Sequence, residues 1–403
     1  MKPRAYCNVL LGLLFVSVLL TGCQGGQRTG TDTAAPVISV PSGKLTKDGF
    51  SCPAPNPRVD VSSKELNLYV WSTYVPHDFL ECYELIYGIK VNYAEYDSDE
   101  EMYGGITKAP SSYDLIQPTD FVVPQLIREG MLSTLDHSRL PILGNLNYHY
   151  MNLNYDAGNQ YTIPYESGID AIAVNTTTVA NPPTSWADLW KPEYEGRIVM
   201  ADDERSVIGL TLLTLGFDVN ATEQGQLDMA KRALDVLRPN IKAFNSDDPH
   251  VGLISGEVDL AETWNGEAFL AHQKLPTIEF VYPAEGSILW QDNWAMLNTA
   301  EHKDAAYAWL NYTMQGDVFW MMLTNFPYTN PNNAALAYAK NNPMPVNDVN
   351  GNPTTLGAVY AAYIQSPIAN PSADVIEAGH RIRDIGDATA AYDEIWATIK
   401  GNP

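Results

Sequence analysis

The sequence predicts an α/β protein of two lobes, and three observations carry that expectation. At 403 residues, with 45% hydrophobic and 18% charged side chains, the chain is long enough for two hydrophobic cores and far from a disordered composition. Beyond Lys64, short β-rich runs alternate with stretches of helical period, which is the grammar of βαβ units. In the last hundred residues the strands give way to helices. There is no internal repeat of fixed period.

The N-terminal segments stand apart from that grammar. Lys2 and Arg4 form a positive opening, an apolar run extends from Val9 to Leu20, and Leu20-Thr21-Gly22-Cys23 closes it. The run is too short for an ordinary membrane span and has the build of an export signal. Its end resembles a lipobox, so residues 1–22 are expected to be a lipoprotein signal peptide. On that reading Cys23 carries lipid, and the mature chain is anchored to a membrane outside the cytoplasm. Residues 23–63, rich in Gly, Thr, Ser and Pro, read as a flexible tether. Cys7 leaves with the signal, which leaves Cys52 and Cys82 in an oxidising compartment where they can pair. Sequence does not supply the Cα separation that a disulfide needs.

The alternating region reads in order as follows. Strands are expected at Leu66–Trp71, Ile89–Ala94 and Asp114–Ile116, with helices at Asp78–Tyr87 and Phe121–Glu129. Further strands follow near Ala171–Val174, Arg197–Met200, Ile241–Phe244, Val258–Glu262 and Ile278–Tyr282, separated by helices. The closing helices are Lys303–Thr313, Asp317–Leu323, Leu356–Ile364 and a stretch from Val375 broken at Gly379 and Gly386.

Charge and motifs exclude several classes of function. A formal net charge of -24, from 48 acidic and 24 basic residues, makes nucleic acid an unsuitable partner and concentrates cations at the surface. Neither G-x-G-x-x-G nor G-x-x-x-x-G-K-[ST] occurs, so no nucleotide has its usual cradle. H-E-x-x-H, zinc-spaced Cys/His sets and G-x-S-x-G are also missing, and no metal or cofactor is expected.

One constellation remains. Trp71-Ser72-Thr73-Tyr74, Pro118-Thr119-Asp120-Phe121, Ala201-Asp202-Asp203, Trp264-Asn265-Gly266-Glu267 and Leu289-Trp290-Gln291-Asp292 each set aromatic or polar residues at the expected end of a strand. Ligands of open α/β sheets lie beyond the carboxyl ends of strands. An alkylammonium would find carboxylates for its charge and ring faces for cation–π attraction and for its stem. Each piece also has an ordinary structural role: Asp202 or Asp203 as a helix cap near Ser206, Thr119 or Asp120 as a cap, and the tryptophans as core residues.

Taken together, WSTYVP at Trp71–Pro76, YDLIQP at Tyr113–Pro118, IPY at Ile163–Tyr165, TSWADLWKPEYEG at Thr184–Gly196, FNSDD from Phe244, WNG at Trp264–Gly266 and WQD at Trp290–Asp292 resemble, in order, the spermidine/putrescine-binding proteins of bacterial ABC transporters. The resemblance implies a two-lobed periplasmic-binding-protein fold of type II, with Rossmann-like sheets flanked by helices and a ligand cleft between lobes that close. It implies one lobe from 64–167 with 292–337 and another from 168–291 with 338–403. It places Trp71, Tyr74, Thr119, Asp203, Trp264, Glu267, Trp290, Asp292 and Tyr328 on the ligand. Asp292 would hold one amine, and Asp203 or Glu267 the other.

Departures bear on the ligand. Thr73 and Ser206 stand where the family carries acids, Glu166 and Ser167 follow IPY, Phe121 replaces a tyrosine, and Ile382 or Arg383 stands where a glutamine is expected. Glu166, Asp120 or Glu204 can restore charge, whereas Arg383 suits a zwitterion such as γ-aminobutyrate. The leading expectation is a monomeric, non-catalytic polyamine receptor that delivers its ligand to ABC permease subunits. A carboxylate-dependent glycosidase and an adhesin-like surface lipoprotein are the readings from other classes.

Overall fold

The computed structural model describes residues 39–246 and 248–401. The expected signal peptide, Cys23 as the expected site of lipidation, and the start of the expected tether lie outside the described residues. The rest of the expected tether is ordered. Pro41–Leu45 (β1) and Ser51–Pro53 (β2) pair as an antiparallel hairpin, and Cys52 is disulfide-bonded to Cys82 in the helix His77–Tyr87. Farther on, Gln315 bonds the backbone of Ala54 and Asn56, and Asp304 accepts from Ser62 and Ser63. The segment reads as coil because few of its own residues are apolar. A cross-link and hydrogen bonds to a neighbouring helical region hold it.

Ten strands form one sheet: Glu65–Trp71 (β3), Lys90–Tyr96 (β4), Leu115–Ile116 (β5), Thr162–Asn175 (β6), Ile198–Met200 (β7), Ile241–Phe244 (β8), Leu260–Trp264 (β9), Ile278–Val281 (β10), Ile288–Met296 (β11) and, beyond a small hairpin of Pro345–Asn347 (β12) and Pro353–Thr355 (β13), His380–Arg381 (β14). Their order is β4-β3-β5-β11-β6-β9-β7-β8, with β10 also on β6 and β14 on β11. One end is parallel, β3 between β4 and β5; the other is parallel as well, β7 between β8 and β9. Each parallel group carries its own helices, and the result is two lobes.

Two antiparallel strands cross from lobe to lobe. Pairing of β6 with β11 runs from Thr162 opposite Ala295 to Asp170 opposite Ile288, with a bulge between Asp292 and Asn293. Every residue of β6 is buried, and a strand covered on both faces loses the alternation that marks a half-exposed one. That is why only Ala171–Val174 was legible as strand, and why Trp290-Gln291-Asp292, expected in a turn, lies inside β11.

Leu66, Val70, Phe79, Trp294 and Trp309 belong to a first core, Ile172, Ile198, Leu210, Leu234 and Ile395 to a second, and Tyr96, Met102, Ile116 and Leu126 to a smaller third. The expected division assigned 338–403 whole to the second lobe. In the structure this segment is split: the helix Leu356–Gln365 packs on the helices Met322–Asn325 and Asn333–Ala339, burying Leu356 and Tyr363 in the first core, whereas Thr389–Lys400 packs on Glu204–Thr214 and Gln224–Leu237.

Candidate ligand site

The crossing strands and the turns beside them bring most of the expected residues together. Tyr74, just beyond β3, meets Tyr165 of β6 edge-on at 5.4 Å and Tyr328 at 6.0 Å. Tyr328 meets Trp290 of β11 at 5.2 Å and 72°, while Trp71 leans on Tyr96 at 4.9 Å. Two glycines make this packing possible. A Cβ on Gly168 would fall 2.0 Å from the Trp290 ring, and one on Gly266 would fall 2.4 Å from Tyr328. Trp264, partly buried, stands opposite Asp170 in the β6–β9 register, so the WNG turn adjoins the same frame.

Carboxylates line that frame from beneath. Asp292 accepts from the Thr119 hydroxyl at 2.8 Å, and burial pushes its carboxyl up to about 7 against the pull of the Thr119 and Tyr74 hydroxyls. Glu166 is its direct cross-strand partner; opposed side chains of an antiparallel pair share one face. Glu166 is wholly buried and neither carboxyl oxygen has a hydrogen-bond partner. Burial first and Asp292 second raise its carboxyl well above the usual range. Four residues along, Asp170 accepts from the Trp290 indole at 2.9 Å and from the Ser206 hydroxyl at 2.5 Å. Burial and then Asp203 push it up to about 8. Behind it, Glu262 accepts from the Ala201 amide.

The remaining expected residues divide. Asp203 caps the helix Glu204–Thr214 by accepting from the Ser206 amide, yet it also lies close enough to raise Asp170, so cap and site residue coincide. Glu267 is engaged by His250 at 2.5 Å. Thr73 adopts φ 56°, its side chain is exposed and its amide donates to Glu95 at 2.8 Å. Glu204 is pushed up to about 8 by burial and by Asp393 and Glu100, so beside Asp203 it stands as a protonated acid at neutral pH rather than as an added charge.

Two expectations are corrected. Arg383 is exposed, and its backbone is bonded to Asn220 and Arg205; two residues earlier, Arg381 donates to Asp120 at 2.8 Å. β14 ends at Arg381, which stands opposite Leu289 of β11; Arg383 lies beyond the strand, so Arg381 rather than Arg383 is the arginine held beside the site. Asp120, for its part, is compensated by that guanidinium and does not act as a free charge, although burial still holds it up to about 6. Sequence reasoning missed Glu95, Asp170, Glu262 and Arg381. An acid within the apolar runs IDAIAV and LAETW was the available signal for Asp170 and Glu262; for Arg381 there was none.

Two strands that cross between two parallel groups, with rings and under-compensated acids gathered along them, mark the class of protein that takes a small ligand between two lobes. Comparison with known proteins agrees. Residues 112–350 match the model of the bacterial extracellular solute-binding proteins, and the chain belongs to that family. It is 36% identical over 337 residues, 83% of this chain and 91% of the relative, to the spermidine/putrescine-binding periplasmic protein of Salmonella typhimurium. A spermidine/putrescine ABC transporter protein of Listeria monocytogenes, a putative assignment in its own description, superposes with TM-score 0.75 at 27% identity, covering 84% of this chain and 99% of that one. The Tp0655 lipoprotein of Treponema pallidum superposes with TM-score 0.70 at 25% identity, covering 83% and 99%.

Proposed function

We propose that the chain is a lipid-anchored extracytoplasmic receptor that captures a linear polyamine between its lobes and presents it to an ABC importer, without chemical turnover. The observation that carries this is the excess of buried acid inside an aromatic frame. Asp292, Glu166, Asp170 and Glu262 lie along the two lobe-crossing strands and the adjoining β9, and none of them forms an ion pair among the described residues. Arg381, the guanidinium bonded at the crevice, is already matched to Asp120. A buried carboxylate without a cation is strongly disfavoured; a ligand ammonium supplies what the chain does not.

In this reading Asp292 and Thr119 hold one amine, Asp203 with Asp170 faces the other, and Trp71, Tyr74, Trp264, Trp290 and Tyr328 enclose the stem. The acids missing at Thr73 and Ser206 are replaced from neighbouring strands by Glu95 and Asp170. Ring contacts of ~0.5–2 kcal/mol each and about 0.8 kcal/mol per buried methylene, less immobilisation of the chain, give about -8 kcal/mol, a micromolar Kd. The two lobes, with the helix Leu356–Gln365 joined to the first, and the lipid on Cys23, which mass spectrometry of the membrane-extracted protein would show, are part of the same proposal.

The sign of the charge is the test. In a thermal-shift panel, putrescine or spermidine raises the Tm of the full chain and γ-aminobutyrate, with its carboxylate set against buried acids, does not. Stabilisation by γ-aminobutyrate alone would sink the polyamine reading.

A further inference from the structure

Glu166 is not needed by the site as described. Trp71, Asp203, Trp264, Trp290 and Tyr328 are partly exposed and Tyr74, Thr119 and Asp292 nearly so, and Asp170 is tied to the Trp290 indole and the Ser206 hydroxyl, whereas Glu166, opposite Asp292, is wholly buried with both oxygens unpartnered. Its surroundings make a bare charge there untenable. Across the sheet stands Asp292, itself an acid. Around it stand its strand neighbour Tyr165 and, from the other elements, the tyrosines 74, 328, 363 and 150, whose phenols burial first and Glu166 among the nearby acids hold above their usual range; Arg381, which acts on Tyr150, is the cation that reaches this group. Beyond Asp292 lie Asp120, matched to Arg381, and Asp99, another buried acid. Two carboxyl groups on one face, opposed in register and without a cation, cannot both ionise and so titrate as a unit.

Resting on the polyamine-receptor reading, we propose that Glu166 and Asp292 form one cation-exchange pair: a proton occupies the pair in the empty receptor, and arrival of the ligand ammonium at Asp292 expels a proton to solvent. Capture of the organic cation is thereby linked to proton release, and affinity for it rises with pH across neutrality. The charge balance is one positive charge in and up to one proton out. Glu166 is thus a positioning and charge-setting residue, acting through Asp292 rather than by touching the ligand.

Calorimetric titration of the full chain with spermidine at pH 7, in buffers of different ionisation enthalpy, reads the proton directly. The wild type is expected to show an observed enthalpy that varies linearly with buffer enthalpy, with a slope of about one proton released. Glu166→Gln, a neutral isostere of the protonated acid, is expected to keep binding and at least halve that slope. A wild-type enthalpy independent of buffer overturns the pair without recourse to any variant. An unchanged slope in Glu166→Gln assigns the proton elsewhere and overturns it equally. Failure of every amine to bind the wild type is a different result, which removes the receptor reading and this inference with it.

Discussion

Gly168→Ala isolates the contact that joins the aromatic frame to the acids. The added methyl would meet three atoms of the Trp290 ring at 2.0, 2.4 and 2.6 Å, where carbon atoms normally rest at about 3.5–4.0 Å. Because the clash is with the ring itself, the indole must retreat by roughly 1.5 Å. That carries its N–H, now 2.9 Å from Asp170, beyond hydrogen-bond range. Losing a hydrogen bond to a carboxyl group costs about 1.5–3 kcal/mol. If the ring stacks on the ligand only in its present position, Kd for spermidine rises ~10–100-fold. Isothermal titration calorimetry measures it. Gly225→Ala serves as control, since a Cβ there meets nothing within 4 Å. Wild-type affinity in Gly168→Ala would refute the role given to Trp290 and its tie to Asp170.

Three further outcomes follow from the same geometry. Asp120, Asp292 and Asp170 are raised to about 6, about 7 and about 8, so the folded chain binds protons that the unfolded chain has released; the Tm of the ligand-free protein falls as pH climbs from about 4 to about 8, and a flat profile over that window would count against the buried acids. Arg381→Ala leaves Asp120, 2% exposed, without its partner and lowers stability by about 2–3 kcal/mol in urea unfolding, whereas Asp120→Asn combined with Arg381→Ala recovers most of the loss. Replacing Cys52 and Cys82 together by serine removes a link between residues 30 apart, costing about 3–4 kcal/mol by loop-closure entropy and appearing as a lower urea midpoint with a somewhat larger m-value, because the denatured chain loses its cross-link; an unchanged midpoint would contradict it.

Local pattern made the outer elements legible and burial obscured the inner ones. β3, β8 and the helix Lys303–Thr313 match the expected bounds to within a residue, because each shows a clear period and a recognisable end. The helix expected over Asp317–Leu323 is interrupted, falling into Gly316–Phe319 and Met322–Asn325. β6 and β11 escaped notice over most of their length because strands buried on both faces carry polar residues wherever function or a crossing strand needs them. The candidate site was legible through its aromatic turns and through Asp292. Asp170 and Glu262 were hidden inside apolar runs, and Arg381 could not be told from Arg383 without the two-residue register of β14. The hairpin at Pro41–Pro53 was hidden for the opposite reason: its order comes from a covalent bond and from polar contacts to residues some 260 positions away.

A crystal structure of the mature chain grown with spermidine tests the central claim most directly. The account predicts continuous linear density between Trp71 and Trp290, with a terminal nitrogen about 3 Å from the Asp292 carboxylate and the other end turned towards Asp203 and Asp170. A ligand held elsewhere on the molecule, or an occupied crevice in which no nitrogen approaches Asp292, would contradict it.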